Sequence, residues 1–245
     1  MKKEIRFLQG PQSWWKDFKY AFNVMMEFRK GFNALHSIGP CVTIFGSARF
    51  KEDHKYYQQA RLLASEIARL GFTILTGGGP GIMEAANRGA KDVGGKSVGC
   101  NIVLAMEQHP NPYLDKWVNI KYFFIRKTLL IKYSYAFVVM PGGFGTLDEF
   151  YEALTLVQTK KINSFPIIIF DSEFYKEILK HNTIMLDEKT IGPDDIDLFL
   201  VTDSIKEAVD YIKEKSIAKF HLSYDERPKN IFWKYFNTSN KTKGN

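Results

Sequence analysis

Apolar positions along the chain recur with two different periods. CVTIFGS (41–47) is a continuous β-rich run that ends at a glycine and a serine. Over residues 54–70, Tyr57, Ala60, Leu63, Ala64, Ile67 and Leu70 fall at helical spacing, and Gly71 stops the pattern. FTIL (72–75) predicts a second strand running into TGGGPG, and residues 81–93 predict a helix. SVGCNIVL (97–104) predicts a third strand, WVNIKYF (117–123) a fourth, and residues 124–134 a helix. AFVVM (136–140) is a short apolar strand followed by PGGFGT and a helix over 146–159. PIIIF (166–170) predicts a sixth strand, with helices over 172–185 and 204–215. Strands that alternate with helices call for a parallel sheet covered on both faces, and runs such as FVVM and IIIF suit strands buried on both sides. The predicted fold class is α/β: one doubly wound parallel sheet with helices on both faces.

Residues 1–36 lie outside this alternation. They are aromatic (Trp14, Trp15, Phe18, Phe22, Phe28, Phe32) and partly helical in spacing, which predicts a helical extension packed on the body or on a partner chain. The body is expected over 37–215 and a loose basic tail over 216–245, where Asn, Lys, Ser and Thr are frequent from 222 onward. The chain has 245 residues, 45% hydrophobic and 25% charged, an ordinary globular composition that excludes a disordered or collagen-like chain. No stretch approaches the roughly 18 apolar residues of a membrane span. The start MKKEIRFLQG is basic but has no apolar stretch behind it, so secretion is not expected. Cys41 and Cys100 each sit in an apolar run and are read as buried thiols in a reducing compartment, which places the protein in the cytoplasm.

The net charge of +7 changes meaning once it is located. Residues 1–36 carry +4, residues 213–245 carry +5, and the span 37–212 carries −2. A nucleic-acid-binding body would be expected to hold the basic charge itself, so specific nucleic-acid binding is not expected.

In an open parallel sheet, ligands bind beyond the carboxyl ends of the strands. Three such ends are unusual: Gly46-Ser47-Ala48-Arg49, Thr76-Gly77-Gly78-Gly79-Pro80-Gly81, and Pro141-Gly142-Gly143-Phe144-Gly145-Thr146. A glycine loop at a helix start aims several N–H groups and the positive end of the helix dipole at one point, which suits a phosphate. AKDVGGKS (90–97) lacks the first glycine of a P-loop and precedes a strand. Gly79-Pro80-Gly81 and Gly143-Phe144-Gly145 each lack the third glycine of a dinucleotide fingerprint, so a mononucleotide remains. The five histidines show no metal-ligand spacing, and Ser47 lacks a G-x-S-x-G elbow. Acidic residues are better placed. Glu149 lies one turn into the helix after PGGFGT, with Glu152 and Thr155 continuing the same side, and Glu84 is its counterpart after TGGGPG. Arg126 and Lys127 open the helix before AFVVM.

PGGFGTLDE (141–149) matches the motif PGGxGTxxE, and on it the chain resembles the LOG (Lonely Guy) family, whose members often carry a lysine decarboxylase label. Gly46-Ser47, GGGPGIMEAANRGA (77–90) and Arg126-Lys127 support the resemblance, which covers residues 40–215. It implies a Rossmann-like fold, usually a homodimer with sites near the subunit interface. It also implies a phosphoribohydrolase that cleaves the N-glycosidic bond of a nucleoside 5′-monophosphate, releasing free base and ribose 5-phosphate. Carried over, Glu149 would stabilise the sugar cation and orient or deprotonate the water, and Arg126 would hold the substrate. Gly142, Gly143, Gly145 and Thr146 would cradle the phosphate. Gly46, Ser47, Gly77, Gly78 and Gly79 would also touch the substrate, and Glu84, Lys127 and Thr155 would line the base and ribose pocket. No metal and no cofactor is implied. The alternative is a nucleotide or molybdenum-cofactor carrier without hydrolase activity, which would need the loops but not the carboxylate.

Overall fold

A computed structural model describes residues 13–103, 109–162 and 165–217. Its centre is a sheet of seven parallel strands: β1 (Cys41–Phe45), β2 (Thr73–Thr76), β3 (Ser97–Ile102), β4 (Lys116–Ile120), β5 (Ser134–Val139), β6 (Ile167–Phe170) and β7 (Leu200–Thr202). Their spatial order is β4-β3-β2-β1-β5-β6-β7. The chain winds outward from β1 to β4, returns to pair β5 with the other side of β1, and winds outward again. The loops that leave β1 and β5 therefore part in opposite directions and open a crevice. Below it the two strands are stitched together: Met140 N–H donates to Phe45 O (2.9 Å) and Ser47 N–H to Pro141 O (3.0 Å).

Side chains alternate between two cores. Val42, Ile44, Ile74, Val138 and Ile168 face one side, where α2 (Lys55–Arg69), α3 (Ile82–Asp92) and α7 (Ile205–Ile212) cover them. Cys41, Phe45, Leu75, Phe137, Val139, Ile167 and Ile169 face the other, under α1 (Trp14–Leu35), α4 (Phe123–Tyr133) and α5 (Phe144–Gln158). Tyr175 and the partly buried Ile178 and Leu179, at the start of α6 (Lys176–Asp187), join that second core. Burial on both faces is why the central strands read as continuous apolar runs. The helices α2 and α3 pack closely because a Cβ on Gly89 would lie 2.0 Å from the Arg61 carbonyl oxygen.

The structure departs from the hydrophobic pattern at several ends. The fourth strand stops at Ile120 rather than residue 123, because the next N–H, of Lys121, donates to the Glu27 carboxylate of α1 (3.0 Å). The helix expected from 172 begins at Lys176, after a turn in which the Asp171 carboxylate accepts from Phe174 N–H (2.8 Å). The last helix ends at Ile212 and continues as a short π-helical turn, Lys213–Ile217. Periodicity does not predict β7 or the 3₁₀ turn Pro193–Leu198 before it, since a three-residue edge strand offers too few positions to show a period.

In α1, Glu27, Gly31 and Leu35 face the body, with Gly31 set against Leu129 of α4. Trp14, Trp15 and Phe18 stand largely exposed at its far end. Of the expected extension, residues 1–12 lie outside the described residues, as does the expected tail from 218 onward. Among the described residues no helix is long and apolar enough to cross a membrane.

Candidate functional site

The crevice between the β1 and β5 loops holds a cavity of about 620 Å³, within the range of small-ligand sites. One wall is the turn Pro141–Gly145 and the first turn of α5. Gly143 caps this helix, and its carbonyl accepts from the N–H groups of Thr146 (3.0 Å) and Leu147 (3.1 Å). The earlier N–H groups, of Phe144 and Gly145, have no carbonyl one turn back to bond, as at any helix start. A Cβ added to Gly143 or Gly145 would meet nothing within 4 Å, whereas one on Gly142 would lie 2.2 Å from Thr146 Oγ1. Packing therefore accounts for the glycine at 142 but not at 143 or 145, both of which line the cavity.

Across the crevice, α4 contributes Arg126. Its Nε donates to Cys100 O within β3 (2.9 Å) and its Nη1 to Glu149 Oε1 (2.8 Å). The guanidinium needs the space beside Gly77, where a Cβ would stand 2.6 Å from Nη2. Glu149 is only 3% exposed, and its second oxygen, Oε2, has no hydrogen-bond partner among the described residues. Burial raises this carboxyl from its ordinary 4.5 to about 7. Arg126 and Lys127 pull it down, while Glu152 and Asp148 push it up. Ion pairing alone would have lowered it; here desolvation wins.

The expected site residues divide into two groups. Gly46, Ser47, Arg126, Gly142, Gly143, Gly145, Thr146 and Glu149 share the cavity. Glu84 does not line it: its carboxylate accepts from Tyr57 Oη (3.0 Å), which ties α3 to α2. Thr155 lies two turns further along α5, exposed, donating to Tyr151 O (2.7 Å). Lys127 sits beside the site, with its ammonium on Asp148 (3.0 Å) and Glu152.

The TGGGPG loop also differs from an open phosphate nest. Gly78 N–H donates to Thr76 Oγ1 (2.9 Å), Gly78 O accepts from Asn111 N–H (2.9 Å), and Gly79 O accepts from Asn111 Nδ2 (3.1 Å). The first N–H of α3, from Ile82, is closed by Ser47 O (2.9 Å). Gly78 and Gly79 are thus held by protein groups, and Gly77 acts by admitting Arg126. Neither Met83 nor the Cys100 carbonyl is signalled by the sequence, because both reach the site from other elements.

Residues 83–212, more than half of the chain, match the family described as "Possible lysine decarboxylase". The chain belongs to this family, the LOG family. Among curated relatives, the cytokinin riboside 5′-monophosphate phosphoribohydrolase of Rhodococcoides fascians is 30% identical over 143 residues, 57% of this chain and 72% of the relative. The protein of the same name from Mycobacterium tuberculosis is 29% identical over 150 residues, 60% of this chain and 80% of its own length. Among solved structures, the molybdenum cofactor binding protein from Rippkaea orientalis has a TM-score of 0.54 at 22% identity, covering 71% of this chain and 94% of its own. The Moco carrier protein from Chlamydomonas reinhardtii has a TM-score of 0.53 at 22% identity, covering 74% and 99%. These two show that the LOG-family chain shares their Rossmann-type fold.

The family description raises the question of pyridoxal phosphate, which needs a lysine for its Schiff base. The residues do not fit it. Among the described residues no lysine lines the cavity. Burial works to lower the pKa of Lys127, but hydrogen bonds to Glu152 and Asp148 prevail and hold it above its ordinary value, the opposite of an activated amine.

Proposed function

We propose that this LOG-family chain is a phosphoribohydrolase that cleaves the N-glycosidic bond of adenosine 5′-monophosphate or an N6-modified form of it. The products are the free base and ribose 5-phosphate. The names of the curated relatives support the substrate class. The observation that carries the reading is Glu149, a buried carboxyl on the cavity with one oxygen held by Arg126 and the other unpartnered among the described residues. A binding protein has no need of such a group, while bond cleavage at an anomeric carbon does.

The chemistry follows from that arrangement. As the C1′–N bond breaks, its electron pair leaves with the base and C1′ gains oxocarbenium character. Glu149 beside C1′ stabilises that charge, and Oε2 accepts a proton from the water whose oxygen bonds to C1′. The base takes up a proton and leaves neutral, so the balance is one water added across the bond. Arg126, anchored on the Cys100 carbonyl, fixes the carboxylate and faces the departing base. The start of α5, with Gly143, Gly145 and Thr146, receives the 5′-phosphate. We assign the protein to the cytoplasm, from its two buried thiols, and to a homodimer, which the resemblance to the family implies.

The test is to incubate the purified protein with AMP and with isopentenyl-AMP and to look for free base and ribose 5-phosphate. Release from neither, nor from other nucleoside monophosphates, overturns the reading. The fold shared with molybdenum cofactor carriers favours a carrier as the second reading, and retention of that cofactor by an inactive protein would establish it.

A further inference from the structure

We propose that Arg49 is the residue that reads the substrate's phosphate and makes the site one for nucleotides rather than nucleosides, an inference that rests on the phosphoribohydrolase reading. Among the described residues two cationic side chains line the cavity, Arg49 and Arg126. They are not equivalent. Arg126 is nearly buried and committed to the Cys100 carbonyl and to Glu149. Arg49 is exposed at the cavity wall and has no ion pair among the described residues. The one carboxylate lining the cavity among the described residues, Glu149, already has its arginine. A guanidinium fork without an anion remains, and its planar donors match the oxygens of a phosphate.

The backbone that carries Arg49 is held on three sides. Its own N–H donates to Ser47 Oγ (3.1 Å). Ser47 N–H donates to Pro141 O (3.0 Å), and Ser47 O accepts from Ile82 N–H (2.9 Å). The root of Arg49 is therefore fixed relative to both the PGGFGT turn and α3. The same cavity contains the α5 start, with open space at Gly143 and Gly145. An anion seated there meets helix N–H groups and a free guanidinium together. With two cations against one carboxylate, the lining balances a phosphate monoester dianion better than a neutral nucleoside. Ser47 and Arg49 follow β1 directly, so the switch point of the sheet supplies both halves of this contact.

The test measures binding of ribose 5-phosphate by calorimetry to the wild-type chain, Arg49→Ala and Arg49→Lys, together with hydrolysis of AMP and adenosine. Arg49→Ala is expected to weaken ribose 5-phosphate binding and to raise KM for AMP about 10- to 100-fold. Its kcat on AMP is expected to stay within a few-fold, and the ratio of kcat/KM on AMP to that on adenosine to fall. Arg49→Lys should recover part of the loss, because charge without the fork is retained. Equal affinity for ribose 5-phosphate in wild type and Arg49→Ala overturns the proposal, as does an equal loss of kcat/KM on AMP and adenosine at an unchanged melting temperature. A wild-type chain that binds ribose 5-phosphate through Arg49 yet releases no base supports the phosphate role while removing the hydrolase reading.

Discussion

Arg126 holds one oxygen of Glu149 at 2.8 Å and leaves the other without a partner among the described residues. A bidentate pair would have been a stronger structural contact. The one-sided arrangement keeps the carboxyl oriented while leaving an oxygen able to accept a proton. Exchanging that carboxylate for an amide tests the division. Glu149→Gln is expected to keep the fold and bind AMP, and to lose about 10²–10³ in kcat. Single-turnover release of adenine, measured beside AMP binding, checks it. Full activity in this variant would remove Glu149 from the chemistry.

The same carboxyl sets a pH dependence. A base must be deprotonated, so kcat/KM for AMP is expected to rise with pH through about 7 and then level off. Stability should run the other way. The folded-state value lies above the ordinary 4.5, so the contribution of this group is fully present below about 4.5 and is lost as pH rises through about 7. Denaturant titrations at pH 4.5 and 8 should show a smaller stability difference in Glu149→Gln than in the wild-type protein.

The glycines of the crevice should separate by role. Gly143→Ala places a methyl group in open space at φ −101°, a conformation alanine adopts freely. Its stability is expected to change by no more than about 0.5 kcal/mol, while AMP affinity falls because the methyl group occupies the cavity. Gly46→Ala would set its Cβ 2.5 Å from Ile82 Cγ2 and is expected to lower stability by about 1–3 kcal/mol. Thermal melts with and without AMP distinguish the two.

Behind the TGGGPG loop, Asn87 Oδ1 accepts from Thr76 Oγ1 (2.7 Å) and Asn111 Nδ2 (2.9 Å), all of them buried. Asn87→Ala removes the shared acceptor and leaves two buried donors with fewer partners. A loss of about 1–3 kcal/mol is expected in chemical denaturation. Since Gly77 of this loop makes room for Arg126, KM for AMP should rise as well.

Much of the fold was legible because each central strand carries its own burial pattern. Val138 and Phe137 point to opposite cores, and both must be apolar when helices cover both faces. The PGGFGT turn was legible for a similar reason: its glycines and the acid one turn later are neighbours in the chain. Glu84 shows where that logic stops. It occupies the same place after TGGGPG as Glu149 after PGGFGT, yet its side chain meets Tyr57, 27 residues earlier, and turns away. Asn111 is a second case. It lies 32 residues beyond Gly79, and nothing near the loop signals that it would close those carbonyls.

By itself the sequence determined the order of the first six strands and the helices between them, the burial of the sheet and the presence of a helix start suited to an anion, since each depends on residues a few positions apart. Only the tertiary structure decided which glycine turn opens on the cavity, that Arg126 reaches Glu149, and that Arg49 shares the same space. Those relations join β1, β3, α4 and α5, whose side chains meet because β1 and β5 pair across the switch in winding. Local spacing carries no record of that pairing, because it is set by how the whole sheet closes its two cores.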